Sequence, residues 1–194
     1  MRAGGIVCAA LMIADAASAL PFTGDILVQS QTAGVLEYEI AEYQNGALLQ
    51  AILDRYPGAH GVLFDVPSVI SGARATDRCE LVAGDMFRSI PPGGDLYMMK
   101  KILHDWDDAR AVQILDHCRR GFAPSGRVLV MDCVLERSNQ PDLGKWLDLN
   151  MLALLPGRER TEQEFADLFA RAGLRLTRVV PVGRFAIVEG VAAQ

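Results

Sequence analysis

Four short apolar runs constrain the fold of this chain more than any other feature of its sequence. Each run is five or six residues long, and three of the four end in an aspartate. They are Gly61–Asp65, Leu81–Asp85, Asp95–Met99 and Arg127–Asp132. Such short apolar runs are typical of strands that are buried on both faces of a parallel sheet.

Helical patterns alternate with these runs. Apolar residues recur at helical spacing within Ala47–Leu53 and Asp107–Arg120, and Thr161–Ala172 begins with the capping-box pair Thr161 and Glu164. The alternation predicts an α/β fold with a doubly wound, mostly parallel sheet. Two further strands near the end of the chain, joined by a Pro-Val-Gly turn, predict an antiparallel pair. We expect residues 45–194 to form this domain, preceded by an atypical segment over residues 1–44.

The composition excludes several classes of protein. The net charge of -5 and the pI near 5.2, with no basic stripe, exclude a typical nucleic-acid binder. No apolar run reaches the ~18 residues of a membrane span. The four cysteines show no CxxC spacing and no obvious pairing, which predicts free thiols. No group of His, Cys and Asp has metal-ligand spacing, so we expect no metal.

The first residues leave a second interpretation of location open. Arg2 precedes the apolar stretch Ile6–Ile13, and the small residues Ala17-Ser18-Ala19 resemble a signal-peptide cleavage site. Against a signal peptide, Asp15 interrupts the stretch and the positive region is a single arginine. We therefore expect a cytoplasmic protein.

Acids at the strand ends predict a ligand site. Asp65, Asp85 and Asp132 fall at the carboxyl edge of the sheet, where open α/β sheets bind ligands. Asp65 lies 19 residues after Gly46, a spacing typical of a carboxylate that binds ribose hydroxyls. Any one of these acids could instead begin a turn or cap a helix, but the set favours binding.

His104 is the candidate general base. It follows the third apolar run, at the same edge, and histidine is well suited to proton abstraction near neutral pH. Trp106 would exclude water, while Asp107 and Asp108 would cap the next helix and favour its N-terminus. A purely structural role for His104 is the alternative.

Five motifs occur in an order that carries a family resemblance. They are FDVP (Phe64–Pro67), GDMF (Gly84–Phe87), LHDWDD (Leu103–Asp108), DLNML (Asp148–Leu152) and GRERTEQEF (Gly157–Phe165). Together they resemble the S-adenosylmethionine-dependent O-methyltransferases of the plant caffeic-acid and hydroxyindole type and their actinobacterial relatives. The resemblance covers roughly residues 45–192, and HDW followed by GRERTE is its most specific combination.

The resemblance implies a cofactor site for S-adenosyl-L-methionine. By position, Asp65 would bind the ribose, Asp85 and Met86 would flank the adenine, and Lys100 would make a further contact. Gly46 matches the end of the family's glycine-rich loop.

The resemblance also implies a catalytic site for methylation of a hydroxyl group on an aromatic small molecule. His104 would remove the hydroxyl proton, Asp132 and Glu159 would flank and orient the histidine, and Met151 would hold the acceptor. Methyl transfer from a reactive sulfonium requires alignment and proton removal, and both are possible without a metal.

The chain departs from the family at its first strand and glycine loop. The stretch aligned with the loop is Ile40–Gly46, in which Glu42–Gln44 add bulk and charge where backbone should approach the cofactor. The preceding Val35–Ile40 contains Glu37 and Glu39, which suit a buried central strand poorly. We therefore expect a degenerate first strand and loop.

The family's helical N-terminal domain, which mediates dimerisation and closes the acceptor pocket, has no counterpart before Asn45. The chain therefore resembles a catalytic domain whose front is replaced or truncated, and it could form a homodimer. One alternative function is a truncated or non-catalytic methyltransferase-fold protein with impaired cofactor binding. A nicotinamide-dependent dehydrogenase shares the ribose-binding acid, but GxGxxG is missing before Asp65, and HDW and GRERTE are foreign to that class.

We expect S-adenosylmethionine to bind weakly or not at all, because Glu42–Gln44 occupy a loop that should be bare backbone. Replacing these three residues by glycine should tighten binding, measured by calorimetric titration. A low-micromolar dissociation constant for the unaltered chain would show that this alignment of the loop is wrong.

Overall fold

The computed structural model describes residues 25–29 and 46–194, which form nine strands, five α-helices and a 3₁₀ turn. The strands are β1 (Asp25–Gln29), β2 (His60–Asp65), β3 (Cys79–Ala83), β4 (Gly94–Lys100), β5 (Phe122–Asp132), β6 (Val134–Leu135), β7 (Arg160–Thr161), β8 (Leu174–Val182) and β9 (Phe185–Ala192). The helices are α1 (Ala47–Arg55), α2 (Pro67–Ile70), α3 (Asp108–Gly121), α4 (Leu143–Leu154) and α5 (Glu162–Arg171), and the 3₁₀ turn spans Leu103–Asp105.

Seven of the described strands form one sheet in the order β3-β2-β1-β4-β5-β9-β8. The first five in that order pair in parallel, and β9 joins antiparallel to β5 and to β8. The short strands β6 and β7 pair in parallel in a separate ribbon. This arrangement confirms the predicted α/β sheet with an antiparallel pair at the end of the chain.

The centre of the sheet corrects one expectation. Strand β1, Asp25–Gln29, lies between β2 and β4, the position for which the sequence suggested the poorly suited Val35–Ile40. A strand is therefore present at the centre, but it lies earlier in the chain than expected. Val35–Ile40, the loop residues Glu42–Gln44 and the possible signal segment lie outside the described residues. The division of the chain at residue 45 stays a prediction.

Apolar layers cover both faces of the sheet. On one face, Tyr97 and Met99 of β4 pack with apolar residues of α3 and α5. On the other face, the neighbouring Leu96 and Met98 pack with residues of α1. Successive strand residues point to opposite faces, so a run without polar residues is what a strand buried on both sides requires.

Local signals in the sequence set most of the helix ends. Thr161 and Glu164 form the predicted capping box of α5, and Gly173, with a φ of 73°, follows its C-terminus. Asp107 caps α3 by accepting a hydrogen bond from the backbone of Arg110 at 2.9 Å. Pro124–Gly126 lies within β5, where the register with β4 is irregular.

None of the helices in the described residues has the length and hydropathy of a membrane-spanning segment. Cys79, Cys118 and Cys133 are buried free thiols, and Cys8 lies outside the described residues.

Replacing Tyr97 by phenylalanine tests the core on the α3 side. The fully buried hydroxyl lies 2.7 Å from the carbonyl oxygen of Gly121 and 2.9 Å from that of Pro91, and it accepts from the backbone N–H of Gly94. Without the hydroxyl these groups lose a buried partner, so we expect the free energy of unfolding to fall by about 1–3 kcal/mol. Urea unfolding measures this loss. A change within about 0.5 kcal/mol, typical of surface substitutions, would contradict the buried network.

Candidate functional site

Three parallel strands bring polar residues to the carboxyl edge of the sheet. Asp65 ends β2, Lys100 ends β4 and Asp132 ends β5, and these strands run in parallel with β1. The predicted clustering of strand-end residues at one edge therefore follows from the observed strand order.

A short turn after β4 carries His104. The chain leaves β4 through Lys101, which takes a left-handed φ of 56° and donates its backbone N–H to the carbonyl of Met131 on β5 at 3.0 Å. This conformation is uncommon for a residue other than glycine. The 3₁₀ turn follows at once, and His104 within it is 7% exposed. The imidazole is therefore held close to β5 and away from bulk water.

Glu159 holds one side of the imidazole. Its Oε1 lies 2.9 Å from Nδ1 of His104, and both side chains are buried. The backbone N–H of Glu159 donates to Oδ1 of Asp148 on α4 at 2.9 Å, which fixes the loop that presents the carboxylate. Because a carboxylate accepts, Nδ1 carries a proton, and Nε2 is the nitrogen available for proton exchange.

Two further carboxylates surround the ring. Oδ1 of Asp105 lies 3.3 Å from Nε2 of His104, and Asp105 is itself buried. Asp132 is fully buried, and neither of its carboxylate oxygens has a hydrogen-bond partner among the described residues. The predicted acids Asp132 and Glu159 thus join His104 in one cluster, and Asp105 is an additional member.

The cluster shifts the pKa values of its members. Burial lowers the pKa of His104, but the hydrogen bond to Glu159 and the negative charges of Asp132, Glu159 and Asp105 outweigh it and raise the pKa to about 9. Burial raises the pKa of Asp132 to about 7 and that of Asp105 to about 6, although the charge of His104 opposes both shifts. The arrangement stabilises an imidazolium, as a general base needs after it has taken a proton.

Asp65 forms a second polar feature at this edge. Its Oδ1 accepts from the backbone N–H of Val66 at 2.6 Å, while its buried Oδ2 lacks a partner within the described ranges. Burial raises the pKa of Asp65 to about 7, against the effect of the Val66 hydrogen bond. A buried carboxylate oxygen without a partner at a strand end suits a ligand whose hydroxyl groups donate hydrogen bonds to it.

Gly46 lies beside β2, and Lys100 is the last residue of β4. Gly46 precedes α1 with a φ of 76°, and a Cβ there would lie 3.1 Å from Cδ2 of Leu63 on β2. Lys100 is half-buried, with Nζ 5.8 Å from the centre of the Phe185 ring. Burial lowers the pKa of Lys100, and the charges of Lys101 and Arg184 lower it further.

The other predicted contacts differ in exposure. Asp85 is exposed and accepts from the backbone N–H of Phe87 at 2.9 Å, so it also begins a turn. Met86 is fully buried in the core. Met151 is buried on α4, one turn after Asp148. The cofactor and acceptor roles of these residues stay predictions.

Besides Asp105, which lies in the LHDWDD motif, the sequence reasoning missed two residues of the site, and both lie in the GRERTEQEF motif. Arg160 is almost completely buried and binds the backbone on both sides of His104. Gly157 packs so closely on this turn that a Cβ would lie 1.9 Å from the carbonyl oxygen of His104. The motif marked the segment, but the distances needed to assign these roles come from the fold. Groups of three or more potential metal ligands are absent from the part of the chain that the structure describes.

Comparisons with known proteins agree on one family. A family model described as an O-methyltransferase domain matches residues 44–175. Phenazine O-methyltransferase PhzM of Lysobacter antibioticus is 45% identical over 152 residues, covering 74% of this chain and 45% of the relative. Mitomycin biosynthesis 6-O-methyltransferase of Streptomyces lavendulae is 42% identical over 146 residues, covering 71% and 41%.

A solved structure shows the same likeness. The methyltransferase CalO1 of calicheamicin biosynthesis, in its SAH-bound form, has a TM-score of 0.80 at 35% identity and covers 97% of this chain and 54% of the other. The chain spans about half the length of the curated relatives that it matches.

Asp65→Asn tests the burial of this carboxyl group through the pH dependence of stability. A raised pKa means that the folded state keeps a proton which the unfolded state has lost, so this group reduces stability as pH rises from about 4 to about 7. The variant should gain stability relative to the unaltered chain over that interval, by up to a few kcal/mol. Asp85→Asn, at an exposed acid after β3, is the matched control. If the free energies of unfolding of Asp65→Asn and the unaltered chain differ by the same amount at every pH, the raised pKa of Asp65 is contradicted.

Proposed function

The chain belongs to the O-methyltransferase domain family, and we propose that it transfers a methyl group from S-adenosylmethionine to a hydroxyl group of an aromatic small molecule. The observation that carries this proposal is the buried contact between His104 and Glu159 at the carboxyl edge of the sheet. Relatives named as phenazine and 3-amino-4-hydroxybenzoate O-methyltransferases support an aromatic acceptor.

The residues at the edge fit the proposed cofactor. The unpartnered Oδ2 of Asp65 would accept a hydrogen bond from a ribose hydroxyl, which is the contact expected of an acid in this position. Gly46 lies beside β2, Asp85 follows β3, and Lys100 ends β4 at the same edge of the sheet. We propose that these residues hold S-adenosylmethionine, with Met86 packed in the core below Asp85.

When bound, S-adenosylmethionine supplies a methyl group that is already activated on a sulfonium sulfur. The chain would then remove the proton of the acceptor hydroxyl and align its oxygen. Nε2 of His104 is the proposed proton acceptor, because Glu159 holds the proton on Nδ1. Glu159, Asp105 and Asp132 would stabilise the resulting imidazolium. With a pKa of about 9, the ring is an imidazolium at neutral pH, so Nε2 can accept a proton only in the fraction of molecules that has lost one, and this fraction grows as pH rises towards 9.

Asp105 bears on how the acceptor would enter. Its Oδ1 lies at Nε2 of His104, on the nitrogen that is to receive the proton. An acceptor hydroxyl must compete for this position, and the adjacent Trp106 would then help to keep water out. Trp106 is half-buried and packs edge-on against the Phe87 ring, with 4.7 Å between the ring centres.

The alternative function is a methyltransferase-fold protein that binds the cofactor poorly and does not catalyse. The sequence of Glu42–Gln44 favours this alternative. Calorimetric titration with S-adenosylmethionine, or with its demethylated product, separates the two. A cytoplasmic location and a homodimer are proposed with the leading function, since the donor is made in the cytosol and the resembled family dimerises.

Substitution of His104 by alanine tests the proposed base. We expect turnover to fall by about 10²–10⁴-fold, the usual worth of general-base catalysis, with cofactor affinity nearly unchanged. Asp65→Ala should do the reverse and weaken cofactor binding. Turnover, cofactor affinity and melting temperature are measured on each variant.

His60→Ala is the matched control, because His60 is exposed at the start of β2, at the opposite edge of the sheet. A structural role for His104 would lower the melting temperature and leave the activity of each folded molecule intact. Full turnover in folded His104→Ala would end the assignment of this residue as the base.

A further inference from the structure

Arg160 ties together the backbone around the proposed base. Its side chain is 1% exposed, and its guanidinium donates to the carbonyl oxygens of Leu103 and Trp106, each at 2.9 Å. It also donates to the carbonyl of Arg158 at 3.4 Å and to Oδ1 of Asp108 at 2.9 and 3.2 Å. A planar guanidinium is suited to making several such bonds in a fixed geometry.

These bonds join two segments that are far apart in sequence. Leu103 and Trp106 flank His104, whereas Arg160 directly follows Glu159. One side chain therefore connects the segment that carries the imidazole with the segment that carries its carboxylate partner, 55 residues away. The 2.9 Å contact between Nδ1 and Oε1 depends on the relative position of these segments.

Close backbone packing supports the same junction from a second place. A Cβ on Gly157 would lie 1.9 Å from the carbonyl oxygen of His104 and 2.4 Å from the carbonyl carbon of Asp105. The backbone before Glu159 thus packs directly against the turn that carries His104. Arg160, which follows Glu159, binds the same turn through its side chain.

We propose that Arg160 is a positioning residue that holds the imidazole of His104 on the carboxylate of Glu159, with Asp108 anchoring the guanidinium. This inference rests on the proposed role of His104 as the base. Asp108 suits the anchoring role, because the same carboxylate also pairs with Arg158 at 3.1 Å and Arg171 at 3.5 Å on the protein surface.

The titration of His104 separates positioning from a simple effect of charge. The charged groups that face the imidazole are Glu159, Asp105 and Asp132, each of which raises its pKa. The positive charge of Arg160 favours the neutral ring, so loss of that charge alone would raise the pKa of His104. Displacement of Glu159 would instead lower the pKa towards its ordinary value. The two effects have opposite signs.

Arg160→Lys is the decisive variant, because lysine keeps the charge but lacks the planar fork. Side-chain NMR can follow all three histidines of the chain, and His104→Gln identifies the signal of His104. We expect the pKa of His104 to fall by about one unit or more, the scale of losing a close opposite charge. Arg158→Lys is the matched control. Arg158 also pairs with Asp108, but it is about half exposed, and it forms ion pairs with the carboxylates of Asp108 and Glu164.

Asp108→Glu provides a milder second variant, since it keeps both charges and displaces only the anchoring carboxylate by one methylene group. A smaller fall in the pKa of His104 is expected. An unshifted signal of His117, which is part-buried with Nδ1 2.8 Å from the carbonyl oxygen of Met86, shows that each variant remains folded, and an unfolded Arg160→Lys leaves the decision to Asp108→Glu. An unchanged or raised pKa of His104 in the folded variants overturns the inference.

The titration needs neither cofactor nor acceptor, so its outcome is separate from that of the proposed function. Where methyl transfer is measured, Arg160→Lys should lower kcat and leave the KM for S-adenosylmethionine unchanged. Absence of methyl transfer would sink the proposed function and leave the positioning result standing. A purely structural role for Arg160 would lower the melting temperature without moving the pKa of His104.

Discussion

The hydrogen bond between His104 and Glu159 is the contact on which the arrangement of this edge depends. It joins the turn after β4 to the loop before β7, and both side chains are buried. A buried ion without a partner is costly, so each of these groups requires the other to be in place. If either segment were displaced, a buried charge would lose its partner, and the fold would be destabilised by the free energy of that unpaired charge.

The edge also carries acids that the described residues do not satisfy. Both oxygens of Asp132 and one oxygen of Asp65 are buried without a hydrogen-bond partner in the described part of the chain. Burial raises the pKa of each of these carboxyl groups to about 7, so both reduce stability at neutral pH. Buried acids with shifted pKa values are frequent at functional sites, where binding or catalysis can offset their cost.

Much of the fold could be predicted because the signals are local or periodic. Short apolar runs identified β2, β4 and the later half of β5, and the capping box of Thr161 identified the start of α5. The first strand was misplaced, although Ile26–Val28 is a short apolar run, because the alignment of the glycine loop with Ile40–Gly46 assigned the strand position to the preceding Val35–Ile40. Asp108 was expected to favour the start of α3. It does lie in the first turn of that helix, but its carboxylate also binds Arg160, a contact between residues 52 positions apart that no local pattern indicates.

The sequence alone determined the residue types at the site, their order and the edge at which they would meet. Asp65, His104, Asp132 and Glu159 follow from strand ends and motifs, since parallel strands place their carboxyl ends together. Only the tertiary structure decided which atoms touch: that Glu159 holds Nδ1, that Asp105 lies at Nε2, and that Asp132 acts on the ring through its charge. The reason is physical. Periodicity and capping act over a few residues, whereas hydrogen bonds, burial and the resulting pKa values depend on distances between segments that only the packed sheet brings together.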